Sequence, residues 1–262
     1  KEKYLGQSKL IEAKSHYQSY LDKGKACLTI HTENLHLNDF FNHWLPRQMF
    51  YHGDVNRLST DPQTRNYVQD NMGMAFIDSH KTRQAYLLAV SQQTINGAMP
   101  EGVLLHDKAE LKYINQIPHA DHGVWLPICL TVYLNETNDL SLLSEKVAFA
   151  DTSEQQTFSQ HIELALDYLI NATDDRGLSF IEQGDWCDPM NMVGYQGKGV
   201  SAWLSLATAY ALVNWCELCD EYTIPIQPQK YLVYKTKAKE INLNVNKYLW
   251  YGDWFARGIT DA

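Results

Sequence analysis

Gly199-Val200-Ser201-Ala202-Trp203-Leu204-Ser205-Leu206-Ala207-Thr208-Ala209-Tyr210-Ala211-Leu212-Val213 is the run that decides the fold class. Val200, Trp203, Leu204, Ala207, Tyr210 and Val213 recur at intervals of three and four, the period of a helix with one face in a core. The same rhythm extends outward in both directions. Downstream a helix is expected over about 229–247. Upstream, Phe158, Ile162, Ala165, Leu166 and Leu169 mark one over about 156–172, and Val124, Trp125, Ile128, Cys129 and Val132 mark another over about 122–135. From 68 to 96 the pattern is helical with a junction near His80, and Gly97 is expected to end it. A helix over about 37–51 carries Phe40, Phe41, Trp44, Leu45 and Met49, capped by Asn38 or Asp39 and kinked or divided at Pro46. Leu10, Ile11, Lys14, Tyr17 and Leu21 suggest a first helix over 7–21. Strand signals are confined to 25–30, 102–105 and 178–181. The expected fold is a large all-α domain of helical hairpins. Alternate long loops, at 53–66, 97–121 and 173–198, should then gather at one end.

A chain of 262 residues can bury a substantial core, as one large domain or two small ones. Apolar residues at 45% and charged residues at 20% exclude a disordered or fibrous protein. No apolar run reaches bilayer-spanning length, and Lys1-Glu2-Lys3-Tyr4 does not open a signal peptide. The net charge of -9, without a Lys/Arg cluster, argues against nucleic acid or an anionic membrane as partner. The five cysteines are odd in number, and Cys129 and Cys216 fall in apolar helical patterns, which fits reduced thiols in a cytoplasmic protein. Cys216-Glu217-Leu218-Cys219 has the spacing of a redox or zinc half-site, but it lies within a helix and lacks a second pair, so packing is expected.

The chemistry-bearing residues sit in the three long loops. The third holds Gly184-Asp185-Trp186-Cys187-Asp188-Pro189-Met190-Asn191-Met192. Trp186 offers a flat apolar plate for a pyranose ring, between two carboxylates that could share one face of a tight turn. A carboxyl buried against that indole could stay protonated and serve as a general acid. Asp185 and Asp188 are too close in sequence to flank a sugar and a water, so one is expected to be the acid and the other to orient it or bind hydroxyls. A turn capped by either Asp is the plainer alternative.

The first loop supplies Arg57, Arg65, Gln69 and Asp70. Asp70 could occupy a first helical turn, and an Arg fork beside a carboxylate reads vicinal hydroxyls well; a local cap and ion pair is the alternative. The second loop ends His119-Ala120-Asp121-His122-Gly123-Val124-Trp125-Leu126-Pro127. Its spacing is poor for zinc, leaving a helix cap or a ligand-facing site, with Asp121 as the expected cap and contact; no metal ligands are assigned. Gly194-Tyr195-Gln196-Gly197-Lys198-Gly199 lacks the phosphate-loop pattern and reads as a hinge that could face an anion.

The motif at 184–191, together with Arg65-Asn66-Tyr67-Val68-Gln69-Asp70 and Asp121-His122-Gly123-Val124-Trp125-Leu126, resembles the inverting disaccharide phosphorylases of glycoside hydrolase family 94. That family includes phosphorylases of cellobiose, cellobionic acid and chitobiose. The resemblance implies an (α/α)6 barrel after a β-sandwich and linker helices, and a homodimer. It suggests that residues 1–30 are a linker helix and connection and 31–262 part of the barrel, about two-thirds of it. The ending at 251–262, without a closing helix, fits a cut domain. By the family pattern Asp188 is the general acid, Trp186 contacts sugar, and Arg65 and Asp70 hold the donor sugar; Arg57, Asp121 and Asp185 are the further substrate-binding candidates. Asn66 and Cys187 depart from the common pattern, which bears on the acceptor. The implied reaction is phosphorolysis of a β-linked disaccharide with inorganic phosphate as co-substrate and no cofactor. Phosphate residues in the family come mainly from beyond this stretch, so the chain alone is expected to be inactive. An inverting hydrolase and a non-catalytic carbohydrate-binding fragment are the alternatives.

Overall fold

A computed structural model describes residues 6–22 and 29–262 of the chain, so most of the expected strand at 25–30, and Cys27, lie outside the described residues. The helices are α1 (Gln7–Asp22), α2 (Leu35–Asp39), α3 (Leu45–Met49), α4 (Thr64–Met74), α5 (Ser79–Val90), α6 (Trp125–Thr137), α7 (Phe158–Asn171), α8 (Ala202–Glu221) and α9 (Pro228–Leu249). Two small antiparallel sheets join them: β1 (Lys146–Ala148) with β2 (Gln155–Thr157), and β3 (Val200–Ser201) with β4 (Gly258–Ile259).

Helix α4 packs on α6 and α6 on α8, while α5 packs on α7. Each hairpin therefore sends one helix to each of two layers, α4, α6 and α8 in one and α5, α7 and α9 in the other. Lys230 of α9 ties the second layer together by pairing with Glu163 and Asp167 of α7, at 3.0 and 2.9 Å. The core between the layers is built on Trp215, Tyr86, Tyr133, Tyr234 and Phe158, all fully buried. This is the all-α arrangement of helical hairpins that the sequence pattern implies, in the barrel-like form that the resemblance implies. Helix α1 buries none of its side chains.

Several local expectations are corrected. The buried face of α8 runs through Leu204, Thr208, Ala211, Leu212, Trp215 and Cys219, whereas Trp203 is half-buried and Tyr210 exposed. Small polar side chains on the packed face displace the apolar stripe by about one position, two of them paired internally: Ser205 donates to the Ser201 carbonyl, and Asn214 accepts from Thr131. Asn34, rather than Asn38 or Asp39, caps α2 by accepting from the backbone of His36 and Leu37. At Pro46 the helical run is divided as expected, with the proline in the first turn of α3. A π-helical turn at Phe40–Trp44 precedes it, with the Leu45 N–H reaching back to Phe40, a wider turn that suits a residue lacking its own N–H.

Helix α5 ends at Val90, short of Gly97. Gly97 instead turns the chain at φ +93°, where a Cβ would lie 2.1 Å from the Leu164 carbonyl oxygen of α7. A Gly97→Ala protein is expected to lose about 2–4 kcal/mol from unfavourable φ and a backbone clash combined. A urea melt would read this; an unchanged midpoint would refute it.

Cys129, Cys216 and Cys219 are free thiols buried in α6 and α8, and burial raises all three, Cys216 to about 11 and Cys219 to about 12. The 216–219 pair is packing. No helix among the described residues is long and apolar enough to cross a membrane.

Candidate active site

The N-terminal ends of α4, α6 and α8 meet, and the three long loops meet with them. Arg65, one residue into α4, is the hub. It is 3% exposed and its guanidinium donates to Asp121, to the backbone carbonyl of Asp185 and to the carboxylate of Asp188. One side chain thus draws on all three loops.

Asp121 is fully buried and makes no capping hydrogen bond. Its oxygens accept from Arg65 Nη1 at 3.2 Å and from Trp125 Nε1 at 3.1 Å. The expectation of a helix cap is therefore corrected: the carboxylate neutralises a buried arginine, and an uncompensated charge there would be costly.

Asp185 is also fully buried, and its carboxylate is occupied within the protein. Oδ1 accepts from the Cys187 N–H at 2.9 Å and Arg257 Nη2 at 2.6 Å, while Oδ2 accepts from Ser201 Oγ at 2.6 Å. Ser201 caps α8 by accepting from the Leu204 N–H at 2.9 Å. Asp185 fastens the motif loop to the start of α8.

Asp188 points outward. Pro189 follows it in a 3-10 turn (Asp188–Met190), where a missing N–H costs little. Its side chain is 62% exposed, so the expected burial against Trp186 does not occur. Trp186 is exposed and stacks on Trp203 at 6.1 Å. What holds Asp188 is Arg65 on one side and His119 Nε2, 3.2 Å from Oδ1, on the other.

His119 is 7% exposed. Its Nδ1 donates to the Ile117 carbonyl at 2.7 Å, which leaves Nε2 for Asp188. Glu101 Oε2 accepts from the His119 backbone N–H and from His122 Nε2, each at 3.0 Å, and lies 3.7 Å from His119 Nδ1. Burial pulls the His119 ring towards neutrality, but the Glu101 carboxylate and the Ile117 carbonyl outweigh it, so the imidazole binds its proton more tightly than usual. Burial likewise pushes Glu101 up, yet hydrogen bonds from His119 and His122 hold it below the ordinary range. Glu101, His119 and His122 could converge on a metal ion, but both nitrogens of His119 already have protein partners. Gly184 allows this packing, since a Cβ there would sit 2.7 Å from the His119 ring.

Asp188 and His119 open onto a cleft of about 510 Å³, lined also by Arg57, Gln63, Asn66, Asn115 and Asn191. That volume suits a small-molecule site of about 300–1,000 Å³. Asp61 fixes one wall: burial would raise its carboxyl, but hydrogen bonds from Lys112, Ser59 and Asn115 hold it down at about 2. Arg57 lies in an unusual left-handed turn, with φ of 50°, 54° and 61° at Asn56, Arg57 and Leu58. Its fork grips Asp70 at 2.7 and 2.6 Å. Asp70 lies in the second turn of α4, not the first, so it pairs with Arg57 and not with Arg65. Sequence reasoning singled out neither Glu101 nor Arg257. It weighed His119 only as part of a cluster, whose crowding was the one available signal.

Residues 20–262 match the glycosyl hydrolase 94 superfamily, catalytic domain. The chain is 52% identical over 259 residues to the cellobionic acid phosphorylase of Neurospora crassa, covering 99% of this chain and 32% of that protein. It is 32% identical to the 3-O-beta-D-glucopyranosyl-beta-D-glucuronide phosphorylase of Paenibacillus borealis, over 88% of this chain and 30% of the relative. A third relative, the N,N'-diacetylchitobiose phosphorylase of Vibrio furnissii, is 27% identical over 54% of this chain and 17% of its own length. The chain thus spans about a third of the length of the first two. With the match running through Arg65, His119 and Asp188, the chain belongs to the glycosyl hydrolase 94 superfamily.

Proposed function

We propose that the full-length protein carries out reversible, inverting phosphorolysis of a β-linked, gluco-configured disaccharide, releasing an α-sugar 1-phosphate and a free acceptor. Asp188 is the general acid. The observation that carries this reading is that Asp188 is the one carboxylate among the described residues lining the cleft, gripped by Arg65 and His119. Asp121 and Asp185 are consumed inside the protein. A single acid suits an attacking group that is already ionised. Phosphate needs no general base, whereas an inverting hydrolase needs a second carboxylate about 6.5–9.5 Å away to activate water.

The acid protonates the interglycosidic oxygen as phosphate attacks the anomeric carbon from the opposite face. Arg65 fixes the acid's direction, Trp186 offers a sugar platform, and Arg57 with Asp70 forms a polar rim. The named substrates of the first two relatives each carry a carboxylate, and Arg57 places a cation on the cleft wall. The substrate in this reading is accordingly a glucosyl sugar acid such as cellobionic acid. The working protein is a cytoplasmic homodimer, with residues 1–30 linking to a barrel that continues beyond this stretch.

A panel of cellobionic acid, cellobiose and chitobiose, assayed on the full-length protein with and without inorganic phosphate, tests this. Cellobionic acid is expected to give a kcat/KM at least about 10-fold above the others, since a site built for a polar group penalises its absence. Cleavage that proceeds equally well without phosphate would overturn the reading. The 262-residue polypeptide alone is expected to show no phosphate-dependent turnover.

A further inference from the structure

In the proposed phosphorolysis, Asp188 spends a proton on one face of the sugar while hydrogen phosphate arrives on the other. Overall one proton passes from phosphate to the acceptor oxygen, yet the two sites are separated by the ring. Asp188 therefore finishes each turnover as a carboxylate, with the proton lost by phosphate on the wrong side of the sugar to restore it. Beside solvent, the titratable side chain in position to restore it is His119, whose Nε2 is 3.2 Å from Asp188 Oδ1.

We propose that His119, braced by Glu101, is a positioning residue that orients Asp188 and returns a proton to it. This rests on the phosphorolysis reading and goes beyond it. In the step, the Nε2–H bond of the imidazolium breaks and an Oδ1–H bond forms on Asp188. The ring is left neutral, with its remaining hydrogen on Nδ1 facing the Ile117 carbonyl. The proton that phosphate gives up passes to solvent, and solvent returns one to Nε2 after the acceptor leaves, so that each turnover moves one proton from phosphate to the acceptor and leaves His119 as it began. In the synthetic direction the transfer runs backwards, from acceptor hydroxyl to Asp188 and then to Nε2.

The surroundings suit this work. The groups facing the ring are Glu101, Asp188, Arg65, His122, Glu182 and Tyr168. Arg65 opposes a charged imidazole and Glu101 favours it, with Glu101 prevailing. Behind the ring lies a polar cavity of about 80 Å³, lined by Glu101, His122, Tyr168 and Glu182. Glu182 is pushed up by burial and by the Glu101 charge, which the two histidines oppose. A single oxygen, Glu101 Oε2, accepts from the backbone N–H of His119 and from the ring of His122, which fixes that carboxylate in place.

The test is a set of pH profiles of kcat and kcat/KM for the full-length protein on cellobionic acid with inorganic phosphate. Wild type, Glu101→Gln, His119→Asn and Asp188→Asn are compared. His119→Asn is expected to lower kcat by about 10²-fold with little change in KM. In Glu101→Gln the basic limb of the kcat profile moves to lower pH, because the charge that holds the proton on the ring is gone. A merely structural role would not move that limb. Superimposable profiles for Glu101→Gln and wild type, beside a silent Asp188→Asn, would overturn the inference and leave the phosphorolysis reading intact. An active Asp188→Asn protein would instead remove that reading. Should His119→Asn fail to fold, the isosteric Glu101→Gln profile decides alone.

Discussion

Asp188→Asn in the full-length protein is expected to lower kcat for phosphorolysis by about 10²–10⁴-fold, the usual worth of a positioned general acid. Stability should stay within about 0.5 kcal/mol, as for other exposed positions. The side chain is 62% exposed, and the asparagine oxygen can still accept from Arg65 and His119. What disappears is the transferable proton. Initial rates paired with a thermal melt make the check. Turnover within about tenfold of wild type would mean that the acid lies elsewhere, while a large fall in melting temperature would mean that the loss reflects unfolding.

Arg65→Met should fail in a different way. The guanidinium is buried, and its removal leaves Asp121 fully buried with only Trp125 Nε1 as partner. Breaking a buried ion pair by removing one member costs about 3–5 kcal/mol. It also releases Asp188 from one of its two holders, so activity should vanish along with stability. The double variant Arg65→Met/Asp121→Leu separates the effects. Replacing both members of a buried pair by apolar residues is often near neutral, so the double variant should regain much of the stability and none of the turnover. Denaturant midpoints would show this; a double variant no more stable than Arg65→Met would refute the pairing.

The layer architecture was legible because apolar spacing of three and four recurs in six segments, and because long and short loops alternate. The convergence of the three long loops followed from that alternation, and Arg65, Asp121 and Asp188 do meet there. Orientation within a loop was not legible. Asp185 and Asp188 look alike in sequence, and the difference between them is made by Arg257, seventy-two residues on. Asp70 and Arg65 were grouped by proximity in sequence, yet a left-handed turn at 56–58 swings Arg57 onto Asp70 instead. Glu101 carries no local mark in the sequence; it meets His119, which Gly184 lets pack closely, only in the fold. The β1–β2 hairpin escaped notice because its strands are three residues each and largely polar.

The fastening of the Asp188 loop has a consequence for translation. Asp185 is bonded to Arg257, and Asp261 accepts from the backbone N–H groups of Gln196, Lys198 and Gly199. These ties join positions 62 to 72 residues apart. At about 5–20 residues per second, a ribosome that has just made Asp185 needs roughly 4–14 s more to supply Arg257. Until then a nascent chain can lay down α8 and α9, but it cannot lock the loop that carries Asp188.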